Sequence, residues 1–559
     1  MIASNENSIY LSKEAEEEID KINSARRSLA NISEEDRGSI KMIELKQLNY
    51  LEDTKAIDRT IATLSGSERY NKILLVQGMI SMLACAYNMY SLGFLNSLPK
   101  FKCPVNGEMK YIPEAEACKI IDQCSVEYFY EGWVKRYDML CENRSSRVFY
   151  VSLIFAINAT VFLGLSTIAD IFGRNMILKM STVIASLGTF LIYYVESYPA
   201  KIIIFGIVTG TNSIFQMMFT LGLKEAIKAG SEYNVYMNAI LNCSYNSGPI
   251  FVAFMAYSIT EYSTLSVIGA IIVTLGTVGN FFIFNETPLF LYKKKKGKEL
   301  INKLFHLSKI NSVTTSKKSI LRRLIQDEIE FRKNQKLIIP EEGVKKTVVE
   351  GESKTEVAQA TEVKDVATAP VEEKEVNLVW ITIVLCYWCA SLYLVNYGTV
   401  ISIDKSGMDN LYINSVLLGI SSVIGYGVCL KFPKDVKRIK TISLIVICLL
   451  SLAAFILFLD FFSGNSGFIR FLKSLCTVFL MPIFVSMGFS VMYLYLPDVY
   501  PVTLRGLGIG CVICMGKIFG GSCSAYIANI MNQLGLNPIA GCAVPAAFLL
   551  ILLRTVPDG

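Results

Sequence analysis

Histidine is almost absent from this chain of 559 residues, because its only histidine is His306, which lies in a hydrophilic segment. A histidine-based metal or catalytic site within the apolar part of the chain is therefore excluded. The run Gly506-Leu507-Gly508-Ile509-Gly510 lacks the lysine spacing of a phosphate-binding loop and lies in an apolar segment. It predicts close helix packing instead. We expect no metal, no cofactor and no enzymatic activity.

The N-terminal stretch of the sequence contains no apolar core. Acidic residues occur throughout the N-terminal stretch, so it fits neither a secretory signal nor an acid-poor transit peptide. Charged residues make up only 18% of the chain, whereas 52% is hydrophobic and the mean hydropathy is +0.43. These values predict a polytopic protein of the lipid bilayer. The net charge of +6 comes from basic clusters beside apolar segments, which indicates membrane topology and not nucleic-acid binding.

Twelve apolar segments are long enough to cross a bilayer. They are predicted at 72–93, 148–168, 175–195, 201–222, 234–258, 264–285, 378–401, 411–431, 440–461, 472–496, 506–531 and 536–555. This pattern predicts an all-α membrane protein with twelve transmembrane helices in two six-helix halves. The predicted regions are an N-terminal segment (1–71), an N-terminal half (72–285) with a first loop at 100–147, a central connection (286–377) and a C-terminal half (378–559).

The two hydrophilic regions contain helix-period stretches. One runs from Ser33 to Leu64 and predicts a short amphipathic helix, either on the membrane surface or packed under the bundle. Another is ILRRLIQDEIEFRKNQKL in the central connection. Residues 340–376 are rich in Glu, Lys, Thr and Ala and are predicted to be disordered.

The distribution of lysine and arginine predicts the orientation. Basic residues concentrate in the even-numbered connections, so these connections and both termini are expected to be cytosolic. The first loop is then extracytosolic, and its four cysteines predict two disulfides with three connectivities open: Cys103, Cys118, Cys124 and Cys141. Asn143 begins a glycosylation sequon in the same loop. Such a loop favours the plasma membrane, with an organelle membrane as the alternative.

Lys517 is a charged residue deep in an apolar segment. It lies about 16 Å of helix from the start of the segment at residue 506. A lysine side chain extends only about 6 Å, too short to reach the headgroups. An ammonium facing hydrocarbon would cost at least about 3 kcal/mol, so we expect it to face a wet, ligand-binding cavity. A structural partner such as an Asp, a Glu or a carbonyl, and a misplaced span, are the alternatives.

The connection Asp170-Ile171-Phe172-Gly173-Arg174 places an acid and a base on a tight glycine turn. Such a pair can clamp helix ends together and must separate when the protein opens. Here the sequence resembles the major facilitator superfamily, with Ser166 and Asn175 at positions where that superfamily has a glycine and a basic residue. The resemblance implies a transport protein.

Further motifs resemble the organic cation and anion transporter family within that superfamily. In chain order they are Phe94-Leu95 with Pro99 and Cys103, Tyr137-Asp138-Met139-Leu140-Cys141, Asn285-Glu286-Thr287-Pro288-Leu289-Phe290-Leu291, Asn396-Tyr397-Gly398, Asp498-Val499-Tyr500-Pro501 with Arg505, and Val556-Pro557-Asp558. Leu289 and Val502 replace an arginine and a threonine of the family. A sugar-porter-like relative shares several of these motifs, but the cysteine loop argues against it.

The resemblance also implies roles for individual residues. Its cation carriers commonly have an acid at the position of Lys517, and its organic anion carriers an arginine, so Lys517 implies an anionic substrate. The cavity walls are expected to include aromatic and amide side chains: Phe489, Tyr493, Tyr393, Asn396, Tyr397, Asn88 and Tyr245. Aromatic packing between helices is the alternative for the aromatic residues. The expected gating residues are Asp170, Gly173, Arg174, Glu286, Asp498 and Arg505.

The sequence therefore predicts a secondary or facilitative transporter of small organic ions, with anions favoured, that works by alternating access. No coupling ion can be assigned. The four motif departures at Ser166, Asn175, Leu289 and Val502 leave a second prediction open. It is a transporter-derived structural or accessory subunit that no longer carries solute.

Overall fold

The structure is a computed structural model. It describes residues 54–64, 69–105, 108–112, 114–141, 144–226, 232–338, 378–401, 410–430, 438–461, 467–500, 504–534 and 536–553. The described residues belong to two compact units. The first contains residues 54–64 and 288–338, and the second contains residues 69–287 and 378–553.

Helices dominate both units. In chain order they are α1 (Thr54–Leu64), α2 (Arg69–Leu95), α3 (Glu114–Ala117), α4 (Trp133–Arg136), α5 (Arg144–Phe172), α6 (Arg174–Tyr194), α7 (Tyr198–Ala226), α8 (Glu232–Asn246), α9 (Gly248–Ser258), α10 (Tyr262–Val278), α11 (Asn280–Ile283), α12 (Pro288–Lys293), α13 (Gly297–Ile310), α14 (Lys317–Ile338), α15 (Leu378–Ile401), α16 (Leu411–Cys429), α17 (Arg438–Phe461), α18 (Gly467–Ser474), α19 (Met481–Val499), α20 (Arg505–Met515), α21 (Cys523–Gln533), α22 (Pro538–Ala543) and α23 (Leu549–Leu552). Short 3-10 segments lie at Ile121–Gln123 and Val544–Phe548. Two π-helical segments, Leu475–Leu480 and Gly516–Ser522, join α18 to α19 and α20 to α21.

The first unit is a small helical cluster. Ile57 and Ile61 of α1 are buried, and Thr60 between them donates to Asp327 Oδ2 of α14 at 3.2 Å. The predicted helical stretch in the central connection is confirmed as α14. Helix α1 lies at the end of the predicted amphipathic stretch, whose earlier part, 33–53, lies outside the described residues, as does the predicted disordered segment 340–376.

Ten helices of the described residues are long and apolar enough to cross a membrane. They cover Arg69–Leu95, Ser145–Phe172, Arg174–Tyr194, Tyr198–Glu225, Tyr262–Ile283, Leu378–Ile401, Leu411–Cys429, Thr441–Leu459, Phe471–Pro497 and Arg505–Met531. Each coincides with a predicted span. The predicted span 234–258 is formed by two helices, α8 and α9, with a break at Ser247. The predicted span 536–555 corresponds to the shorter apolar helix Pro538–Leu552.

The break between α8 and α9 has a local cause. Pro249 has no backbone N–H, which is tolerated because this residue lies in the first turn of α9. In one continuous helix, the backbone hydrogen bond from this position would be lost. Gly248 allows the broken segment to approach α2, because a Cβ at this position would lie 2.6 Å from that of Ala86. The segment 232–258 therefore forms two consecutive helices, and the sequence Ser-Gly-Pro lies at their junction.

The connection between α2 and α5 holds a three-stranded antiparallel sheet with strand order β2-β1-β3. Its strands are β1 (Lys100–Val105), β2 (Glu108–Ile112) and β3 (Ser125–Glu127). Phe101 of β1 pairs with Ile112 on one side and Val126 on the other. Disulfides join Cys103 to Cys124 and Cys118 to Cys141, so two disulfides are confirmed and the connectivity is resolved. Asn143 lies outside the described residues.

A buried ion pair fixes this connection to the start of α5. Arg147 donates to both carboxylate oxygens of Glu114, at 3.0 and 2.9 Å, and also to the carbonyl of Met139 at 2.9 Å. Both residues are 8% exposed. The pair therefore links α3 to a membrane-spanning helix.

We expect Glu114→Gln to destabilise this connection by about 3–5 kcal/mol, because the Arg147 charge would stay buried without a counter-charge. Thermal unfolding of the full chain, together with the rate of disulfide reduction in the loop, measures this effect. Glu116→Gln is the matched control, since Glu116 is exposed on the same short helix. Equal behaviour of the two variants would contradict the assignment.

Candidate functional site

The helix that carries Lys517 changes its winding at that residue. Lys517 is the second residue of the π-helical segment Gly516–Ser522, and such wider turns occur frequently at functional sites. Gly520 packs against α15, because a Cβ there would lie 2.6 Å from the carbonyl oxygen of Ala390. On α20, a Cβ at Gly506 would lie 2.5 Å from Asp170 Oδ1 of α5. The predicted close packing of this glycine-rich helix is thus confirmed.

Lys517 is buried, with 3% of its surface exposed. Its ammonium donates to Asn158 Oδ1 at 2.8 Å and to Ser213 Oγ. The ring centre of Phe162 lies 5.0 Å from the same nitrogen. These three residues belong to α5 and α7, so the hydrogen bonds connect the N-terminal helices to the C-terminal ones. Among the described residues no carboxylate forms an ion pair with Lys517.

Lys517 lies on the wall of a central cavity with about 530 Å³ of space between its atoms, including space open to solvent. The cavity is lined by Met89, Tyr90, Ser213, Gln216, Tyr245, Asn246, Tyr393, Asn396, Tyr397, Val400, Tyr426, Phe489, Tyr493 and Lys517. Both the N-terminal and the C-terminal helices contribute to this wall. Six tyrosines and one phenylalanine make it aromatic, and Lys517 is the only Lys, Arg, Asp or Glu among these lining residues.

The aromatic side chains form one connected wall. Tyr393 stacks on Tyr397 with ring centres 5.2 Å apart, and Phe489 meets Tyr393 edge-on at 4.9 Å. The hydroxyls of Tyr393 and Tyr493 are 3.2 Å apart, and Tyr493 donates to Gln216 Oε1 at 3.3 Å. The last bond joins α19 to α7 across the cavity. Aromatic surface and hydroxyl groups therefore face the same space.

The structure brings seven of the eight predicted site residues to this cavity: Lys517, Phe489, Tyr493, Tyr393, Asn396, Tyr397 and Tyr245. Asn88 lies elsewhere. It donates to Thr189 Oγ1 of α6 at 3.1 Å, inside the N-terminal helices. Helix α2 is buried over most of its surface, so hydrophobic periodicity gives no register from which the direction of Asn88 could be predicted.

Sequence reasoning missed the residues that hold the ammonium and close the cavity. Asn158, Ser213 and Gln216 are polar side chains within apolar spans, which is a detectable signal because such groups are costly in hydrocarbon. The spacing of Ser213 and Gln216 also places them on one face of α7. What the sequence does not give is their proximity to Lys517, which arises from helix packing.

A second polar cluster lies near the junction of α5 and α6, and its centre is Glu225. This buried carboxylate pairs with Arg174 and with Arg505, the latter at 3.1 Å. Thr287 Oγ1 also donates to it at 2.6 Å. We call these four residues the Glu225 cluster. Because Arg505 begins α20 and the other residues precede residue 288, the cluster ties the C-terminal helices to the N-terminal ones.

Two further carboxylates accept backbone hydrogen bonds at helix starts. Glu286 accepts from the amides of Arg174 and Asn175, both at 3.1 Å, at the first turn of α6. Burial raises the pKa of the Glu286 carboxyl above its ordinary value, and the amides oppose that shift. Asp170 Oδ2 accepts from the amide of Leu507 at 2.9 Å, which is a second link to α20.

Five of the six predicted gating residues thus lie in or beside the Glu225 cluster: Asp170, Gly173, Arg174, Glu286 and Arg505. Gly173 joins α5 to α6 with φ of 109°, a conformation that favours glycine. The side chain of Asp498 lies outside the described part of the structure, as does Val502. Glu225 itself was missed, because the predicted span ended at 222 whereas α7 continues to Ala226.

Comparison with curated proteins finds local similarity. The chain is 33% identical over 105 residues to SVOPL of Danio rerio, covering 16% of this chain and 21% of that protein. It is 27% identical over 177 residues to "Solute carrier family 22 member 15-like" of Xenopus tropicalis, covering 28% of this chain and 31% of the relative. The matches span about a fifth to a third of these relatives. The second supports the resemblance to the organic cation and anion transporter family.

Solved structures share the fold over most of the chain. The proton:xylose symporter XylE bound to 6-bromo-6-deoxy-D-glucose has a TM-score of 0.55 at 12% identity, covering 88% of this chain and 97% of that structure. The human organic anion transporter MFSD10 (TETRAN) has a TM-score of 0.50 at 12% identity, covering 87% and 99%. The sequence pattern of the Major Facilitator Superfamily matches residues 146–525. This integral membrane protein therefore belongs to the Major Facilitator Superfamily.

Proposed function

We propose that the chain is a secondary or facilitative transporter of small organic ions, with anions preferred, and that it works by alternating access. One observation carries the proposal. Lys517 lines the central cavity, and the hydrogen-bond partners of its buried ammonium, Asn158 and Ser213, are neutral. A buried charge with neutral partners gains most from a ligand of opposite sign.

The cavity lining sets the charge preference. Its lining residues include no Asp and no Glu, so an organic cation would meet the ammonium without a compensating carboxylate. A carboxylate or sulfonate, in contrast, would supply the missing counter-charge. The connected wall of Tyr393, Tyr397, Phe489 and Tyr493 favours an attached ring over a purely polar molecule.

The Glu225 cluster suits a gate for alternating access. Arg505 and Leu507 of α20 bind Glu225 and Asp170 of the N-terminal helices, so these bonds must break if the two sets of helices separate at this end. Lys517 forms a similar bridge beside the cavity. We infer that opening at the Glu225 cluster exposes the Lys517 site to one side of the membrane.

The membrane arrangement completes the proposal. We infer twelve crossings, by adding the broken pair α8 and α9 and the segment Pro538–Leu552 to the ten long helices. Two six-helix halves, 72–285 and 378–559, put both termini on the same side, which the basic residues of the even-numbered connections make cytosolic. The disulfide-bonded sheet is extracytosolic in this arrangement, which suits the plasma membrane.

Uptake by reconstituted proteoliposomes tests this function with three probes that share one ring: benzenesulfonate, uncharged benzenesulfonamide and the cation phenyltrimethylammonium. We expect the wild-type chain to import benzenesulfonate fastest, because this probe alone can pair with Lys517. Equal import of the uncharged probe would favour a sugar-porter-like carrier of neutral solutes. Import of none of the three, by protein that remains folded, would favour a subunit without transport and contradict the proposal.

A further inference from the structure

The first unit has a strongly basic surface. Between Lys293 and Arg323 the sequence contains eleven lysines and arginines, and Glu299 is its only acid. Most of these basic side chains are exposed on α13 and α14 and in the preceding turn, whereas Leu300, Leu304 and Leu307 form the buried face of α13. The unit therefore separates an apolar inner face from a positively charged outer one.

Two of these lysine side chains lie against the ring of Phe305. The ammonium groups of Lys309 and Lys317 lie 5.6 and 5.5 Å from the centre of its ring. Lys317 also donates to Asn302 Oδ1 at 2.6 Å, which orients its side chain. Within the described residues, neither lysine pairs with a carboxylate. Two ammonium groups around one exposed edge of the unit can therefore bind phosphate groups of a single partner molecule.

His306 lies on the same surface and is affected by the positive charges of the neighbouring lysines. Burial lowers the pKa of His306 below its ordinary value, and the neighbouring charges of Lys303 and Lys309 lower it further. A positive charge on His306 is thus disfavoured by the lysines around it. The geometry at Phe305 and this repulsion are separate indications of concentrated positive potential.

The position of this surface in the sequence brings it near the membrane. Helix α11, the last part of a membrane-spanning segment, ends at Ile283, and the lysine run begins at Lys293. Even a fully extended chain of ten residues reaches at most about 35 Å, and residues 288–293 of this stretch are helical, so the lysine run is tethered close to the headgroup layer of its own bilayer. We propose that the surface around Phe305, Lys309 and Lys317 binds anionic lipid headgroups that carry more than one phosphate.

Nanodiscs containing the full chain, with and without fluorescent phosphatidylinositol bisphosphate in a phosphatidylcholine bilayer, test this proposal by energy transfer to the protein. Lys309→Gln with Lys317→Gln is expected to weaken lipid binding roughly 25-fold, since each lysine near an anionic surface contributes about a fivefold factor. Lys309→Arg with Lys317→Arg should retain binding, because both charges remain. The matched control is Lys110→Gln with Lys135→Gln, two exposed lysines of the loop between α2 and α5.

Two results would overturn the proposal. One is unchanged lipid binding by the Lys309 and Lys317 glutamine variant. The other is competition by soluble inositol bisphosphate at concentrations equal to those of the lipid, which would identify a free phosphate compound as the ligand. The experiment needs no transport substrate, so its outcome is independent of the proposed transport function.

Discussion

Replacing Lys517 by glutamine is expected to lower the uptake of benzenesulfonate at least about 30-fold, because truncating one partner of a buried charge pair costs about 2–5 kcal/mol. Glutamine is one atom shorter than lysine but keeps an N–H donor on the side of Asn158, whose Oδ1 lies 2.8 Å from the lysine nitrogen. The variant therefore removes the charge while keeping a polar side chain of moderate length. Proteoliposome uptake, normalised to the amount of folded protein, measures the change.

Two companion variants separate charge from packing. Asn158→Asp keeps Lys517 but places a carboxylate within hydrogen-bond distance of its ammonium, so anion uptake should fall by a similar factor. Asn158→Ala lacks that carboxylate and should retain the preference for an anion over an uncharged probe. If Asn158→Asp transported anions as well as the wild type, Lys517 would not act through its charge.

Glu225→Gln is expected to weaken the closed arrangement of the Glu225 cluster by about 3–5 kcal/mol, because the buried charge of Arg174 loses its nearest counter-charge. Arg505 loses the same partner. Hydrogen exchange at the amides of Arg174, Asn175 and Leu507 should then accelerate at least about 100-fold, since local opening governs exchange at these positions. Mass spectrometry of the corresponding peptides measures this rate.

Glu196→Gln provides the matched control, because Glu196 is exposed and lies just before α7, at the end of that helix remote from Glu225. We expect no change in exchange near Arg174 for this variant. Unchanged exchange in Glu225→Gln itself would show that the cluster does not hold the two sets of helices together.

The membrane-spanning helices were largely predictable because one physical quantity decides them. A run of apolar residues long enough for the bilayer core must be helical, since no water is present to satisfy its backbone. The predicted segment 378–401 coincides with Leu378–Ile401. The predicted segment 506–531 lies within the continuous helical stretch that α20, the π-helical segment and α21 form between Arg505 and Gln533. Hydropathy does not register a proline junction, so the break at Ser247 was not predicted.

The site was predictable only in part. The depth of Lys517 in an apolar segment indicated a cavity, since an ion in hydrocarbon is costly wherever its neighbours lie. Its partners Asn158 and Ser213 follow from how α5 and α7 pack against the π-helical turn, which no local pattern encodes. The three-stranded sheet was missed because its strands are only three to six residues long, and four cysteines alone leave three pairings open.

Equilibrium binding tests most directly whether the Lys517 ammonium, which pairs with no carboxylate in the described part of the chain, selects the ligand. Calorimetric titration of the purified full chain with benzenesulfonate and with uncharged benzenesulfonamide compares two ligands that differ chiefly in charge. We predict that the wild type binds the sulfonate at least about 30-fold more tightly and that Lys517→Gln binds both ligands equally. A wild type without this preference, or a preference that persists in Lys517→Gln, would contradict the account.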